Sequence, residues 1–283
     1  MRLLHTTSYT LEEFDPGREP PYAILSHTWE DSEIVYTDII RGINLKRDSR
    51  AEKILRCCRQ ACNDKLDYVW IDTCCINKSS SAELQEAINS MFAWYKSAKI
   101  CYAYLSDFVW RGAYSQSKLE YVSFENCRWF TRGWTLQELI APSVVIFYDQ
   151  NWNRLGSKQF HVHVLEAWTG IPGDALLGES LGRYSITKRL SWAMQRQTRR
   201  PEDRAYSLLG IFDVSMPMIY GEGERKAFRR LMREISEATA NEFPMAHFQN
   251  QLDAPAIRPS EPSPNVNAFS GSQGEGNRET SVR

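Results

Sequence analysis

Leu66-Asp67-Tyr68-Val69-Trp70-Ile71 is a short apolar run that ends on Asp72 and leads into Thr73-Cys74-Cys75-Ile76-Asn77. Its length and its aromatic and β-branched content read as a buried strand, and what flanks it decides the fold. Before it, Ser49 to Lys65 places Ala51, Ile54, Leu55, Cys58, Ala61 and Cys62 at the i, i+3, i+4, i+7 spacing of one helix face. After it, a helix begins near Ser80, where Ser80 and Glu83 have capping-box spacing. Its apolar stripe is Leu84, Ala87, Ile88, Met91, Trp94 and Tyr95. Further out, Tyr22 to Trp29 follows Pro20-Pro21 as a first strand and Ile100 to Leu105 is a third. A helix from roughly Thr131 to Ala141 stops before Pro142, and Val144 to Tyr148 is a fourth strand. The order β-α-β-α-β-α-β predicts an α/β fold: a flavodoxin-like parallel sheet with right-handed crossovers and helices on both faces.

Beyond about residue 156 the strand signal gives way to helical patterns over Ile186 to Met194, Asp203 to Phe212 and Glu224 to Ala238. From Asn241 the chain turns to Pro, Ser, Asn, Gly and Glu, too poor in large apolar groups to offset its ordering entropy. The expected organisation is an α/β core over 1–155, a helical extension packed on it over 156–240, and a disordered tail over 241–283.

Of the 283 residues, 42% are hydrophobic and 24% charged, and the net charge is -1. These values suit a soluble globular protein and give no global field toward nucleic acid or an anionic membrane. The N-terminus turns polar at His5, unlike a signal peptide, and no membrane span is expected. Seven cysteines, an odd number with two adjacent pairs, predict reduced thiols and a cytoplasmic location. His161 and His163 alternate as they would on one side of a strand, but lack further ligands, so no metal site and no cofactor are expected.

In parallel sheets, ligands sit beyond the carboxyl ends of the strands, which directs attention to Ser26 to Asp31, Asp72 to Asn77, and Ser106 onward. Ser26-His27-Thr28-Trp29 offers hydroxyls and an aromatic ring at such an end; His27 itself reads more simply as a hydrogen-bonded structural residue. Asp72 offers a carboxylate there, or a turn and cap residue. Cys74 and Cys75 read as buried, inert thiols. In Arg132-Gly133-Trp134-Thr135-Leu136-Gln137-Glu138, a helical projection sets Trp134 and Glu138 one turn apart, away from the Leu136, Leu139 and Ile140 stripe. That pair could hold a planar cationic ligand. Equally, Trp134 could pack on a neighbour while Glu138 pairs with Arg132 or Arg128. Gly221-Glu222-Gly223 follows no strand and lacks the full glycine fingerprint of a phosphate loop.

Several long stretches in order resemble the fungal heterokaryon-incompatibility (HET) domain family. They are Pro21 to Trp29, Asp67 to Ile76, Ala87 to Phe92, Tyr102 to Asp107, Arg132 to Pro142, Glu202 to Phe212 and Tyr220 to Glu224. The likeness covers roughly residues 1–240; it departs at Glu30, where the family often has Gly. It implies a role in vegetative incompatibility, programmed cell death and innate-immunity-like self-recognition. It also implies self-association and NLR-type or other incompatibility proteins as partners, without nucleic acid. A more distant likeness to the TIR domain implies NAD as substrate, with Glu138 of Trp134-x-x-x-Glu138 as the catalytic carboxylate of an NAD glycohydrolase. Ser26, Trp29, Asp72, Arg132 and Trp134 are then the substrate-binding candidates. The competing expectation is a non-enzymatic signalling module.

Overall fold

The computed structural model describes residues 1–110 and 124–239. Their strands are β1 Arg2–His5, β2 Leu11–Glu13, β3 Tyr22–His27, β4 Tyr68–Trp70, β5 Ile100–Leu105, β6 Val145–Asp149 and β7 Arg154–Ser157. They form one seven-stranded sheet in the order β2-β1-β4-β3-β5-β6-β7. The four strands read from sequence are its middle, and all their pairings are parallel. The sheet as a whole is mixed, because antiparallel strands close both sides: β1 on β4, β2 on β1, and β7 on β6. These edge strands escape a periodicity search because they are only three or four residues long.

In the middle of the sheet the second strand of the chain order lies beside the first, and the third lies on the first's other side. This is the arrangement of flavodoxin-like sheets, whose direction of winding reverses between first and third strands. Here the reversal falls between β3 and β5, with Ser26 opposite Ala103 and His27 opposite Tyr104.

Among the described residues the helices of this part are α1 Tyr36–Ile40, α2 Glu52–Asn63, α3 Asp72–Cys75, α4 Ser81–Ser97, α5 Arg128–Thr131 and α6 Thr135–Ile140. Right-handed crossovers in opposite directions put α2 on one face and α4 with α6 on the other. Packing agrees: α2 lies on β3 and β4, while α4 and α6 touch each other. Ser80 caps α4 by accepting from Glu83 N–H at 3.3 Å. The Glu83 carboxylate turns instead to Arg2 and to Asn77 N–H, tying the first strand to the helix start.

The helix expected over Thr131 to Ala141 is two helices. Arg132 is extended (φ -81°, ψ 138°) and bridges in parallel to Gln197, and Gly133 N–H donates to Gln197 O at 2.8 Å. A Cβ at Gly133 would stand 2.5 Å from Thr198 Cγ2 and would push that side chain aside.

Residues beyond the sheet form α7 Val162–Thr169, α8 Gly173–Leu176, α9 Ile186–Ser191, α10 Asp203–Tyr206, α11 Leu209–Phe212 and α12 Glu224–Thr239. They dock on the α4/α6 face. Asn89 of α4 exchanges hydrogen bonds with the Met216 backbone. Gly210 of α11 meets Phe92 so closely that a Cβ there would fall 2.0 Å from Phe92 Cβ. His163 sits in α7 rather than on a strand, and buried His161 bonds Leu155 O at 2.9 Å. Of the seven free cysteines, Cys62 is exposed and the others, Cys74 and Cys75 among them, are buried. Among the described residues no helix is long and apolar enough to cross a membrane. The tail expected over 241–283 lies outside the described residues.

Candidate functional site

Ser26 and His27 are consecutive in β3, so their side chains leave opposite faces of the sheet. Each finds a different carboxylate.

On the α4/α6 face, Ser26 Oγ donates to Glu138 Oε2 and accepts from Trp129 Nε1 at 2.8 Å. Tyr95 of α4 lies in the same enclosure, its hydroxyl donating to Leu25 O at 3.2 Å. Glu138 is only 7% exposed. Burial drives its pKa up to about 8; the Ser26 and Tyr95 hydroxyls and Arg196 pull it down, while Asp72 pushes it further up. At neutral pH this carboxyl is therefore mostly protonated.

The enclosure corrects the projection that set Glu138 and Trp134 on an open surface. Every residue from Thr135 to Ile140 is buried, because α4 covers one side of α6 and α8 another. No salt bridge joins Glu138 to Arg132 or Arg128 among the described residues. The cation facing Glu138 is Arg196, itself buried and donating to Arg132 O and Thr135 Oγ1 at 2.9 Å each. Burial lowers its pKa to about 10, against the opposing effect of Glu138. Lys158 fixes the other end of α6, its buried ammonium donating to Leu139 O at 3.0 Å and Pro142 O at 2.6 Å.

On the opposite face the carboxylate is Asp72, at the carboxyl end of β4. It accepts from Trp29 Nε1 at 2.8 Å and lies 3.5 Å from Lys78 Nζ. Burial alone would raise its pKa, but Lys78, His27 and the Trp29 hydrogen bond outweigh that and hold it below the usual range. Trp29 is 43% exposed, and Lys78 Nζ stands 3.5 Å above its ring. His27 Nε2 is buried without a hydrogen bond among the described residues, 3.8 Å from Asp72 and 3.9 Å from Glu33. Burial, seconded by Lys53, lowers the His27 pKa to about 3, so the ring is neutral. The plain hydrogen-bonded role expected of His27 thus holds for only part of the ring.

The structure joins Ser26 directly to Glu138 and Trp29 directly to Asp72, and sets Asp72 within electrostatic range of Glu138. Trp134 goes elsewhere. It is the N-cap of α6, and its indole N–H acts on the Asp203 carboxyl in the extension, helping to lower that group's pKa against burial. Arg132 is half-buried between Arg128 and Arg199, and burial together with those two charges lowers its pKa. The Gly221-Glu222-Gly223 turn does gather an anion, but an internal one: Gly221 and Gly223 N–H both donate to Glu202 Oε1 at 2.9 Å. Trp129 and Lys158 carry no sequence signal of a site, Tyr95 belongs to the apolar stripe of α4, and Arg196, grouped with Arg199, Arg200 and Arg204, reads in sequence as a solvated basic helix face with local ion pairs.

Chemically, Glu138 is a carboxyl held proton-bearing near neutrality beside a hydroxyl, and Asp72 is a carboxylate held ionised beside an exposed indole. Among the described residues no group of three His, Cys, Asp or Glu is arranged to hold a metal ion.

Residues 22–116 match the family model described as heterokaryon incompatibility protein (HET). Over 230 residues, 80% of this chain, the sequence is 46% identical to vegetative incompatibility protein HET-E-1 of Podospora anserina. The aligned part is 17% of that relative's length. No solved structure matches significantly.

Proposed function

Because this chain belongs to the heterokaryon incompatibility (HET) family, we propose that it acts in fungal vegetative incompatibility as a cytoplasmic cell-death effector, and that its chemistry is TIR-like hydrolysis of NAD. The observation that carries the chemical reading is the Ser26–Glu138 hydrogen bond at the carboxyl end of β3, next to the point where the sheet reverses its winding. Ligands of doubly wound sheets bind at that point.

In the proposed reaction the bond between ribose C1′ and the nicotinamide nitrogen breaks. Its electron pair leaves with neutral nicotinamide, so the leaving group needs no proton. Water supplies the oxygen that bonds C1′, one proton is released, and ADP-ribose is the second product. The ribose becomes oxocarbenium-like on the way, and an ionised Glu138 stabilises that charge or orients a ribose hydroxyl. Ser26 positions the carboxylate. Trp29 offers an exposed ring for stacking and Arg132 a half-buried charge for phosphate. Trp134, whose indole acts on Asp203, serves the extension rather than the substrate. Self-association completes the site from a neighbouring copy, and NLR-type or other incompatibility proteins supply the trigger.

A second reading has support of its own. Glu138 is enclosed, with its hydrogen bond to Ser26 made internally. That arrangement suits a non-enzymatic signalling module in which the carboxyl is a structural element. A time course of NAD loss and nicotinamide release with the purified chain separates the two. Turnover that vanishes in both Glu138→Ala and Glu138→Gln supports the enzyme; no turnover by the wild-type chain at any concentration, or unchanged turnover in both variants, rejects Glu138 as its catalytic group.

A further inference from the structure

Three arginines, Arg128, Arg132 and Arg199, come together just past the end of β3, and among the described residues none of them makes a salt bridge. Arg128 begins α5 and donates from its guanidinium to Thr28 Oγ1 at 3.1 Å, just past the end of β3. Thr28 Oγ1 lies 3.4 Å from Ser106 Oγ, just past β5, so this contact straddles the reversal of the sheet. Arg132 follows one turn later, its backbone fixed by the Gln197 bridge and by Arg196. Arg199 stands two residues beyond that bridge. Burial and the nearby charges of Arg128 and Arg199 lower the Arg132 pKa, and Asp203 and then Glu138 act on it in the opposite sense.

The neighbouring acids are committed elsewhere. Asp203 accepts from the Tyr220 hydroxyl at 3.0 Å. Glu138 accepts from Ser26. Asp107 accepts from the backbone N–H of Arg128 at 2.7 Å. Neither Arg132 nor Arg199 makes a side-chain hydrogen bond or salt bridge among the described residues. Like charges brought together without counter-charge destabilise a surface, and planar guanidinium forks match phosphate oxygens two at a time.

We propose that Arg128, Arg132 and Arg199, with the Thr28 hydroxyl, bind the diphosphate of a nucleotide at the β3/β5 reversal, placing its sugar toward Glu138. The inference rests on the reading of the Glu138 neighbourhood as a nucleotide site. It names the part of the ligand that supplies affinity, as distinct from the part that reacts. Three charges fit a diphosphate, which carries two to three negative charges at neutral pH; a monophosphate leaves at least one guanidinium unanswered.

Calorimetry on the full chain tests this with ADP, ADP-ribose, AMP, adenosine, inorganic pyrophosphate and a short single-stranded oligonucleotide. ADP and ADP-ribose are expected to bind at least tenfold more tightly than AMP, with adenosine weakest and pyrophosphate intermediate. Arg132→Gln should weaken ADP about tenfold, Arg132→Lys less, and the Arg128→Gln/Arg132→Gln/Arg199→Gln triple variant at least 100-fold. Thermal unfolding of the triple variant should be unchanged or shifted upward, since like-charge repulsion is relieved; a merely structural role predicts a fall. Equal ADP affinity in wild type and triple variant, absence of ADP binding, or AMP or the oligonucleotide binding as well as ADP each overturns the proposal. ADP binding by Glu138→Gln separates it from the catalytic reading: retained NAD turnover there ends the case for Glu138 without touching the arginines, and arginine-independent ADP binding does the reverse.

Discussion

Ser26 and His27 are adjacent in one strand, yet they open onto two carboxyl groups in opposite electrostatic states. Glu138, behind Ser26, has its pKa raised to about 8; Asp72, beside His27, is held below its ordinary value. For both groups desolvation pushes upward and is the largest influence. The difference is in the counter-charges. Asp72 has Lys78 at 3.5 Å and an indole N–H at 2.8 Å. Glu138 has two hydroxyls and a buried arginine that spends its donors on Arg132 O and Thr135 Oγ1. Burial sets the direction in which an acid moves, and a close cation decides whether it gets there.

The largest expected effect breaks the Glu138 side. If the carboxylate stabilises an oxocarbenium-like ribose, Glu138→Gln should lower NAD turnover by roughly 100- to 1000-fold, read as nicotinamide released. In the wild-type chain the rate should climb with pH through about 8 as Glu138 ionises, and that limb should disappear from any residual rate of the variant. Stability should run the other way. A folded pKa raised above the ordinary 4.5 means the native state holds a proton that the unfolded chain releases between about pH 4.5 and 8. Stability therefore falls as pH rises across that window, by on the order of 5 kcal/mol. Glu138→Gln keeps an acceptor for Ser26 and removes the titration, so its denaturant midpoint should be flatter with pH and higher than wild type near pH 8. A wild-type midpoint flat from pH 5 to 8 would contradict a buried, proton-bearing Glu138.

The two sides also differ in how much of them sequence reveals. The four parallel strands are legible as short apolar runs rich in β-branched and aromatic residues, and the first two are marked further by the amphipathic α2 and the Ser80-capped α4 that follow them. The order of those strands in space has no such local signal, since crossover handedness fixes the face each helix takes and not which strands are neighbours. Trp29 and Asp72 could be placed together because both follow strands directly. Glu138 could be found but not oriented. A helical projection sees Leu136, Leu139 and Ile140 on one side and assigns the rest to solvent, whereas α4 and α8 cover the remainder of α6. Arg196 faces Glu138 from 58 positions on (196 − 138), and no local spacing announces a contact of that range. The break at Arg132–Gly133 was hidden for the same reason, since it is imposed by Gln197 and Thr198.

A smaller effect sharpens the comparison by linking its halves. Asp72 is among the causes that raise Glu138, so Asp72→Asn should move the pH midpoint of NAD turnover downward while leaving the height of the plateau within a few-fold. The same change takes the ionic partner from Lys78 and weakens the acceptor for Trp29, costing about 1–2 kcal/mol of stability near pH 7. An unmoved midpoint would mean the two carboxyl groups titrate independently, and the site would divide into two unconnected features.

The smallest effect concerns Lys78 itself, the cation that distinguishes the two sides. Lys78→Met keeps most of the side chain's apolar contact with Trp29 and removes the charge over its ring. The expected loss is about 0.5–1 kcal/mol near pH 7, since Lys78 is partly exposed and its attraction to both Trp29 and Asp72 is screened by solvent. The pH dependence carries more information than the size. A carboxylate held below its ordinary pKa contributes stability that is present above the unfolded value and lost as pH falls toward the folded one. Removing the foremost cause of that depression should shrink the acid-side loss, so the wild-type and Lys78→Met midpoints converge as pH drops toward 3. If they instead stay parallel down to that pH, Lys78 acts through Trp29 alone, and the contrast between Asp72 and Glu138 must come from His27 and the indole hydrogen bond rather than from the ammonium.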